Sequence, residues 1–275
     1  LNWYDGRLLP AATLELSIHE PGLLYGATVF STLRVYSQSL DHPLTHWQAH
    51  CARLDHSLQT LGWQQPNWEQ VRQGAEALRS QFPVLRITLF PDGREWIIGR
   101  ELPSDLSVRQ QQGIIAWLAT PEPELEWQRS LAAHKTGNYL SAWLAGQRAQ
   151  QLGAQEAILV DASGNWLETT TGNLWGWGQG QWWTPPTEAG ILPGIVRQQL
   201  ITALARHNKK VGAIPWHPDW VTQLEAIAYS NCVVELVPIR VVFSQDTVHT
   251  YAADHAAWQE LRQLFDPVTA QSFTP

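Results

Sequence analysis

The chain has 275 residues, 44% of them hydrophobic and 16% charged, and a formal net charge of −7. That composition fits one large or two smaller globular domains with ample core and excludes intrinsic disorder. The acidic balance argues against a nucleic-acid groove, and no apolar run reaches the length of a membrane span. Two cysteines, Cys51 and Cys232, do not make a disulfide framework and suit a reducing cytosol, so a cytoplasmic protein is expected. Sixteen tryptophans are scattered along the chain and read mostly as core and surface fillers, although exposed ones would also stack sugars or bases.

In chain order, residues 1–7 (LNWYDGR) read as a strand running into a turn, not as a leader. Residues 27–36 alternate β-branched and aromatic side chains and predict a strand. His46, Cys51, Leu54, Leu58 and Leu61 recur near helical spacing and predict a helix over 45–61, with a second over 67–81. Residues 84–90 (VLRITLF) predict a strand ended by the turn Pro91-Asp92-Gly93, and 113–119 predict another. Pro121-Glu122-Pro123-Glu124 then interrupts, because two prolines continue neither a helix nor a central strand. The domain boundary is expected there: 1–120 as an N-terminal α/β domain, 121–132 as linker, 133–275 as a C-terminal α/β domain. Within the latter, 139–152 predicts a helix closed by Gly153. Short strands are expected over 157–161, 166–168 and 173–178, a helix over 194–208, a buried strand over 226–230 and a last helix over 248–264. Tight turns between strands forbid an all-parallel sheet, so the fold class is α/β with mixed sheets (α+β) in two domains.

Three segments carry chemistry. Lys135 lies in Ala133-His134-Lys135-Thr136-Gly137-Asn138-Tyr139, at a strand-to-helix junction where a lysine is usually a solvated surface residue. Asn138 and Tyr139, however, open a helix of small and apolar residues, which sets the lysine against a core and makes it a usable nucleophile and proton shuttle. Glu168 stands before Thr169-Thr170-Thr171-Gly172-Asn173. Alone it reads as a turn cap; beside a lysine it reads as the acid that keeps a cofactor's ring nitrogen protonated. Pro193 and Gly194 shape a loop that delivers the free amides of Ile195 and Val196 at a helix start, a natural phosphate site as well as an ordinary loop-to-helix connection. Arg53 is the candidate charged partner of that phosphate. Lysine, acid and phosphate cup together are the equipment for pyridoxal phosphate. No metal-ligand spacing and no nucleophile elbow is present.

Together with Gly22-Leu23-Leu24-Tyr25-Gly26-Ala27-Thr28-Val29-Phe30, these motifs resemble the class IV (fold type IV) pyridoxal-phosphate enzymes, in order and over nearly the whole chain. That family contains branched-chain and D-amino-acid aminotransferases and 4-amino-4-deoxychorismate lyases. The resemblance implies a two-domain fold, a homodimer, and pyridoxal 5'-phosphate in the interdomain cleft. It makes Lys135 the Schiff-base lysine, Glu168 the ring-nitrogen partner, Arg53 a phosphate ligand, and Ile195 and Val196 backbone phosphate donors. Tyr139 is expected near the phenolic oxygen, and Asn231 at the cofactor site. Ser31 departs from the family pattern, where many relatives carry glutamate, and Val196 replaces a usual threonine.

The spacing from Lys135 to Tyr139, and Tyr229-Ser230-Asn231-Cys232 before Val237-Pro238-Ile239, look most like the lyases. The expected reaction turns a small-molecule substrate, aminodeoxychorismate, into 4-aminobenzoate and pyruvate, a step of folate biosynthesis. Two substrate carboxylates need guanidinium partners, for which Arg94 ranks first, then Arg34 and Arg100. The alternatives are an aminotransferase using the same residues on branched-chain or D-amino acids, and a non-catalytic tryptophan-rich binding protein.

Overall fold

The computed structural model describes residues 1–10, 12–120 and 125–266. They form two compact units, each treated separately here. The first holds Leu1–Ser104 and His134–Asn138; the second holds Asp105–Ala133 and the described residues from Tyr139 onward.

The first unit contains β1 (Asn2–Tyr4), β2 (Arg7–Leu9), α1 (Pro21–Leu24), β3 (Val29–Arg34), α2 (Trp47–Leu61), α3 (Trp68–Leu78), β4 (Val84–Leu89) and β5 (Glu95–Arg100). The strands make one antiparallel sheet in the order β2-β1-β5-β4-β3. Side chains alternate across a strand, so each strand presents two faces. Val29 and Leu33 of β3, Leu85, Ile87 and Leu89 of β4, and Ile97 of β5 share one core with Leu54 and Leu58 of α2 and Val71, Ala75 and Leu78 of α3. The cross-strand partners Thr32 and Arg86, and Phe30 and Thr88, lie on the opposite face with Arg34. The buried face of α2 carries His50 and Ser57 beside Trp47, Leu54 and Leu58, whereas Cys51 is only half-buried. The hydrophobic spacing had suggested the reverse for position 51.

The second unit contains α4 (Leu106–Gln112), β6 (Ile114–Ala119), α5 (Leu140–Gln151), β7 (Glu156–Val160), β8 (Trp166–Thr169), β9 (Asn173–Gly178), β10 (Gln181–Thr184), α6 (Ile195–Arg206), β11 (Val211–Ala213), α7 (Pro218–Val221), β12 (Ala226–Asn231), β13 (Glu235–Phe243), β14 (Val248–Thr250) and α8 (Ala257–Gln263). Its mixed sheet runs β11-β10-β9-β12-β13-β6-β7-β8, and β8 pairs back onto β9. That last pairing closes six strands into a barrel. The closure is a single register pair, Glu168 opposite Asn173. Trp175 and Trp182 pack with Val196 and Leu200 of α6 and with Trp258 and Leu261 of α8 in one core. Among the described residues no helix is long and apolar enough to cross a membrane.

Two expectations change. Strand β6 pairs in parallel with both β13 and β7, so it belongs to the second unit, and the first long stretch of chain ends at Ser104 instead of 120. Residues 121–124, where the boundary was expected, lie outside the described residues. The helix expected over 248–264 is instead a short strand, which pairs with the end of β13, followed by a helix of two turns.

His46 joins a 3-10 turn to α2 in the left-handed conformation, φ 54°. Burial, with the charge of His42 second, lowers its pKa to about 4. An imidazole neutral in the folded state and protonated in the unfolded one contributes stability above pH 6.5 that is lost as pH falls towards 4. Replacing His46 with Asn, which tolerates the left-handed region, is expected to flatten the fall of Tm over that window. Parallel Tm–pH curves for both proteins would contradict it.

Candidate active site

In the first unit, the segment carrying Lys135 docks along the edge strand β3. The Phe30 N–H donates to the Lys135 carbonyl at 2.8 Å, the Gly137 N–H donates to the Thr28 carbonyl at 2.7 Å, and Val29 bridges Thr136. The extended backbone sends alternate side chains to opposite sides. His134 is buried against α2, with its Nδ1 3.0 Å from Ser57 Oγ and its ring stacked on His56. Lys135 takes the other direction: its Nζ lies 4.8 Å from the centre of the Phe30 ring. The Arg86 guanidinium sits 3.5 Å from the same ring centre, and Arg34 reaches over Tyr36. One face of this sheet therefore carries Lys135 and Arg86 at Phe30, with Arg34 further along the strand over Tyr36.

Arg53 lies on the α2 side. Its Nη2 donates to Ser31 Oγ at 2.5 Å, and that hydroxyl also lies 2.6 Å from His50 Nδ1. His50 is fully buried, and burial, followed by the charges of Arg53, His46 and Lys135, holds its pKa well below the ordinary histidine value. A neutral imidazole and a hydroxyl thus tether the guanidinium. Arg94 is engaged elsewhere: it pairs with Glu20 at 2.6 Å and Asp92 at 2.7 Å and bonds the Tyr4 hydroxyl. Burial works to lower its pKa, but the bonds from Glu20 and Asp92 outweigh it and raise the pKa overall. Arg94, ranked first from sequence as a carboxylate ligand, is a structural ion-pair centre beside the β4–β5 turn.

In the second unit, Glu168 is buried at the barrel closure. Arg129 donates to its Oε1 twice, from Nη2 at 2.6 Å and Nε at 3.0 Å, and the Leu192 N–H donates to Oε2 at 3.1 Å. The Leu192 carbonyl in turn accepts from Asn173 Nδ2 at 2.8 Å. The Gly190–Gly194 loop is thus held by the two residues that close the barrel. Gly194 begins α6 with no side-chain cap, and a Cβ there would lie 2.0 Å from Asn173 Oδ1. The first amides of a helix lack intrahelical partners, and those of Ile195 and Val196 stand at this start. Tyr139 donates its hydroxyl to the Thr170 carbonyl at 2.6 Å. The hydroxyls of Thr170 and Thr171 bond Glu156, whose pKa burial raises against the pull of those bonds. Asn231 accepts from the Val233 and Val234 N–H groups at 2.8 and 3.0 Å and reaches the Thr171 carbonyl at 3.3 Å. Its side chain organises the β12–β13 turn and the threonine loop.

The profile of the family Amino-transferase class IV matches residues 28–242. The chain belongs to that family of pyridoxal-phosphate enzymes. It is 24% identical to the branched-chain-amino-acid aminotransferase of Escherichia coli K12 over 263 residues, covering 87% of this chain and 84% of the relative. It is 23% identical to the aminodeoxychorismate lyase of Vibrio harveyi over 252 residues, covering 86% and 89%. Its fold is similar to the crystal structure of 4-amino-4-deoxychorismate lyase from Pseudomonas aeruginosa, with a TM-score of 0.81, 22% identity and coverage of 98% of this chain and 100% of that one.

Each unit of this class IV chain carries groups of the kinds pyridoxal phosphate requires: the first an amine on Lys135, the second a buried carboxylate with a guanidinium partner and a helix start whose glycine leaves room for Asn173 Oδ1. Two residues escaped the sequence analysis. Arg86 was read only as part of a strand, although its alternation with Leu85 and Ile87 places it opposite the core. Arg129 carried no motif, and its pairing with Glu168 arises from the fold.

A Cβ at Gly137 would lie 2.3 Å from Thr28 Oγ1 and 2.7 Å from the Gly26 carbonyl. Gly137→Ala is expected to cost about 1–3 kcal/mol in stability and to displace the segment carrying Lys135. Denaturant unfolding and the mass of the borohydride-reduced holoenzyme check this; wild-type stability with full cofactor fixation would show that the close approach does not matter.

Proposed function

We propose that this class IV enzyme is an aminodeoxychorismate lyase, releasing pyruvate and 4-aminobenzoate from 4-amino-4-deoxychorismate. The cofactor-binding part of the reading is carried by Glu168, a carboxylate buried with Arg129 and bonded by three N–H donors. Bound pyridoxal phosphate supplies an electron sink, strongest when its ring nitrogen is protonated. Glu168 is the residue that holds that proton. Lys135 anchors the cofactor through its amine and, once displaced by the substrate amine, takes the proton from the carbon bearing that amine. Arg53 and the amides of Ile195 and Val196 hold the phosphate, with Ser31 and His50 orienting Arg53. Tyr139, whose hydroxyl donates to the Thr170 carbonyl, would stand near the cofactor's phenolic oxygen. Asn231 acts through Thr171 and the turn it organises.

Loss of the enolpyruvyl group leaves an aromatic ring, so the step runs without a second keto acid. The substrate is a dianion, and Arg34 and Arg86, on the Lys135 face of their sheet, are its carboxylate ligands; Arg94 is engaged by Glu20 and Asp92. Support for the lyase over a transaminase comes from Asn231 and the β12–β13 turn. The transaminase reading is favoured by the likeness to branched-chain aminotransferases and uses the same lysine and acid.

Purified protein should be yellow, and borohydride should bleach it while fixing the cofactor to Lys135. A colourless protein that takes up no pyridoxal phosphate would sink both enzyme readings and leave a binding protein. Pyruvate should appear from aminodeoxychorismate with no keto acid added; strict keto-acid dependence would reverse the assignment in favour of the transaminase. Arg86→Ala is expected to raise KM on the order of 10- to 100-fold, the worth of a charge-assisted hydrogen bond, with a smaller change in kcat. An unchanged KM would remove Arg86 from the substrate site.

A further inference from the structure

Arg129 is an unusual partner for Glu168. A guanidinium and a carboxylate commonly meet fork to fork, one N–H to each oxygen. Here both contacts, from Nη2 at 2.6 Å and Nε at 3.0 Å, fall on Oε1. Two donors occupy the two lone pairs of that oxygen. Oε2 accepts the Leu192 N–H at 3.1 Å, which leaves one lone pair on that oxygen. The arginine is itself fixed: Nη2 also donates to the Ala132 carbonyl at 3.1 Å, and the guanidinium lies 5.5 Å from the centre of the Tyr139 ring. Both side chains are almost fully buried, 4% exposed for Arg129 and 6% for Glu168. In such surroundings a carboxyl without its cation would favour the neutral form.

We propose that Arg129 is a positioning residue for the cofactor chemistry: it sets a buried cation against Glu168 and saturates Oε1, so that Oε2 alone is presented to the ring nitrogen. This rests on the assignment of Glu168 as the ring-nitrogen partner. Arg129 touches neither substrate nor cofactor and acts through Glu168, with its contact to Tyr139 steadying the neighbouring side chain. A buried ion pair that merely held the barrel together would make a different prediction, because its loss would lower stability without altering the electronics of the ring.

The test compares holoenzymes of wild type, Arg129→Met, Arg129→Lys and Glu168→Gln. Readouts are Tm, the visible absorption band of the lysine-linked cofactor as a function of pH, and kcat and KM separately. Without Arg129 the carboxylate loses its buried cation and the two bonds that fix Oε1, and its hold on the ring-nitrogen proton weakens. A positive charge near the lysine–cofactor nitrogen is then lost, and the pH midpoint of the band moves up. Arg129→Met is expected to show that upward shift and a kcat lower by about tenfold or more, with KM within about threefold. Arg129→Lys, which restores the cation but not both bonds, should recover part of each. If Arg129→Met does not fold, the lysine variant carries the test, with a smaller shift in the same direction. Variants with lowered Tm but an unmoved midpoint overturn the proposal, as does a wild-type kcat. Glu168→Gln separates the two assignments: a shift there with none in the Arg129 variants sinks the role of Arg129 alone, whereas no shift in Glu168→Gln sinks the assignment of Glu168 itself.

Discussion

The second unit depends on a charge buried where a barrel closes. Desolvating a carboxylate and a guanidinium costs several kcal/mol per ion, which their attraction offsets only with good geometry and further hydrogen bonds. Glu168 meets that condition through Arg129 on one oxygen and the Leu192 amide on the other. Removing one partner of such a pair typically costs about 3–5 kcal/mol, because the other charge stays behind. The same carboxylate sits opposite Asn173 in the single register pair joining β8 to β9, and Asn173 grips the other side of the Leu192 peptide. Barrel closure, the acid's orientation and the path of the loop into α6 are therefore set by one set of contacts. A helix start shaped this way has little freedom, which suits a site for a rigid anion.

The first unit solves a different problem, that of directing cations from a thin antiparallel sheet. Strand alternation sends Val29 and Leu33 into the core and Phe30 and Arg34 to the other face, and Arg86 joins them from the paired strand. The segment at Lys135 obeys the same alternation, burying His134 and Thr136 and turning the lysine towards Phe30. Gly137 permits this, since no side chain fits between the segment and Thr28. On the core side, the polar pair Ser31 and His50 is the price of tethering Arg53 from within an apolar layer. Ser31 offers that tether a neutral hydroxyl.

Much of this was legible. Lys135, Glu168, Arg53 and the Gly194 helix start stand out in the sequence because each combines a reactive or donor-rich group with a local backbone signal. Most strands and helices were found because their periodicities are local. The failures have physical causes. Residues 113–119 read as a strand correctly, but membership of a sheet is decided by parallel partners far away in sequence, so the boundary was placed at the prolines. Residues 248–250 followed a helical pattern into the last helix because a three-residue strand is stabilised by its neighbour β13, not by its own sequence. Arg94 looked available beside its turn; only the fold brings Glu20, over seventy residues earlier, to its guanidinium.

The sequence by itself determined most element types, the mixed α/β class and which residues are candidates to hold pyridoxal phosphate, because these follow from residue chemistry and short-range spacing. The tertiary structure decided which oxygen of Glu168 is occupied and by what, which arginines share the lysine's face and which are held elsewhere. It also decided that Asn231 serves a turn. Those outcomes depend on side chains brought together from distant segments, where a difference of one register or one rotamer changes the partner.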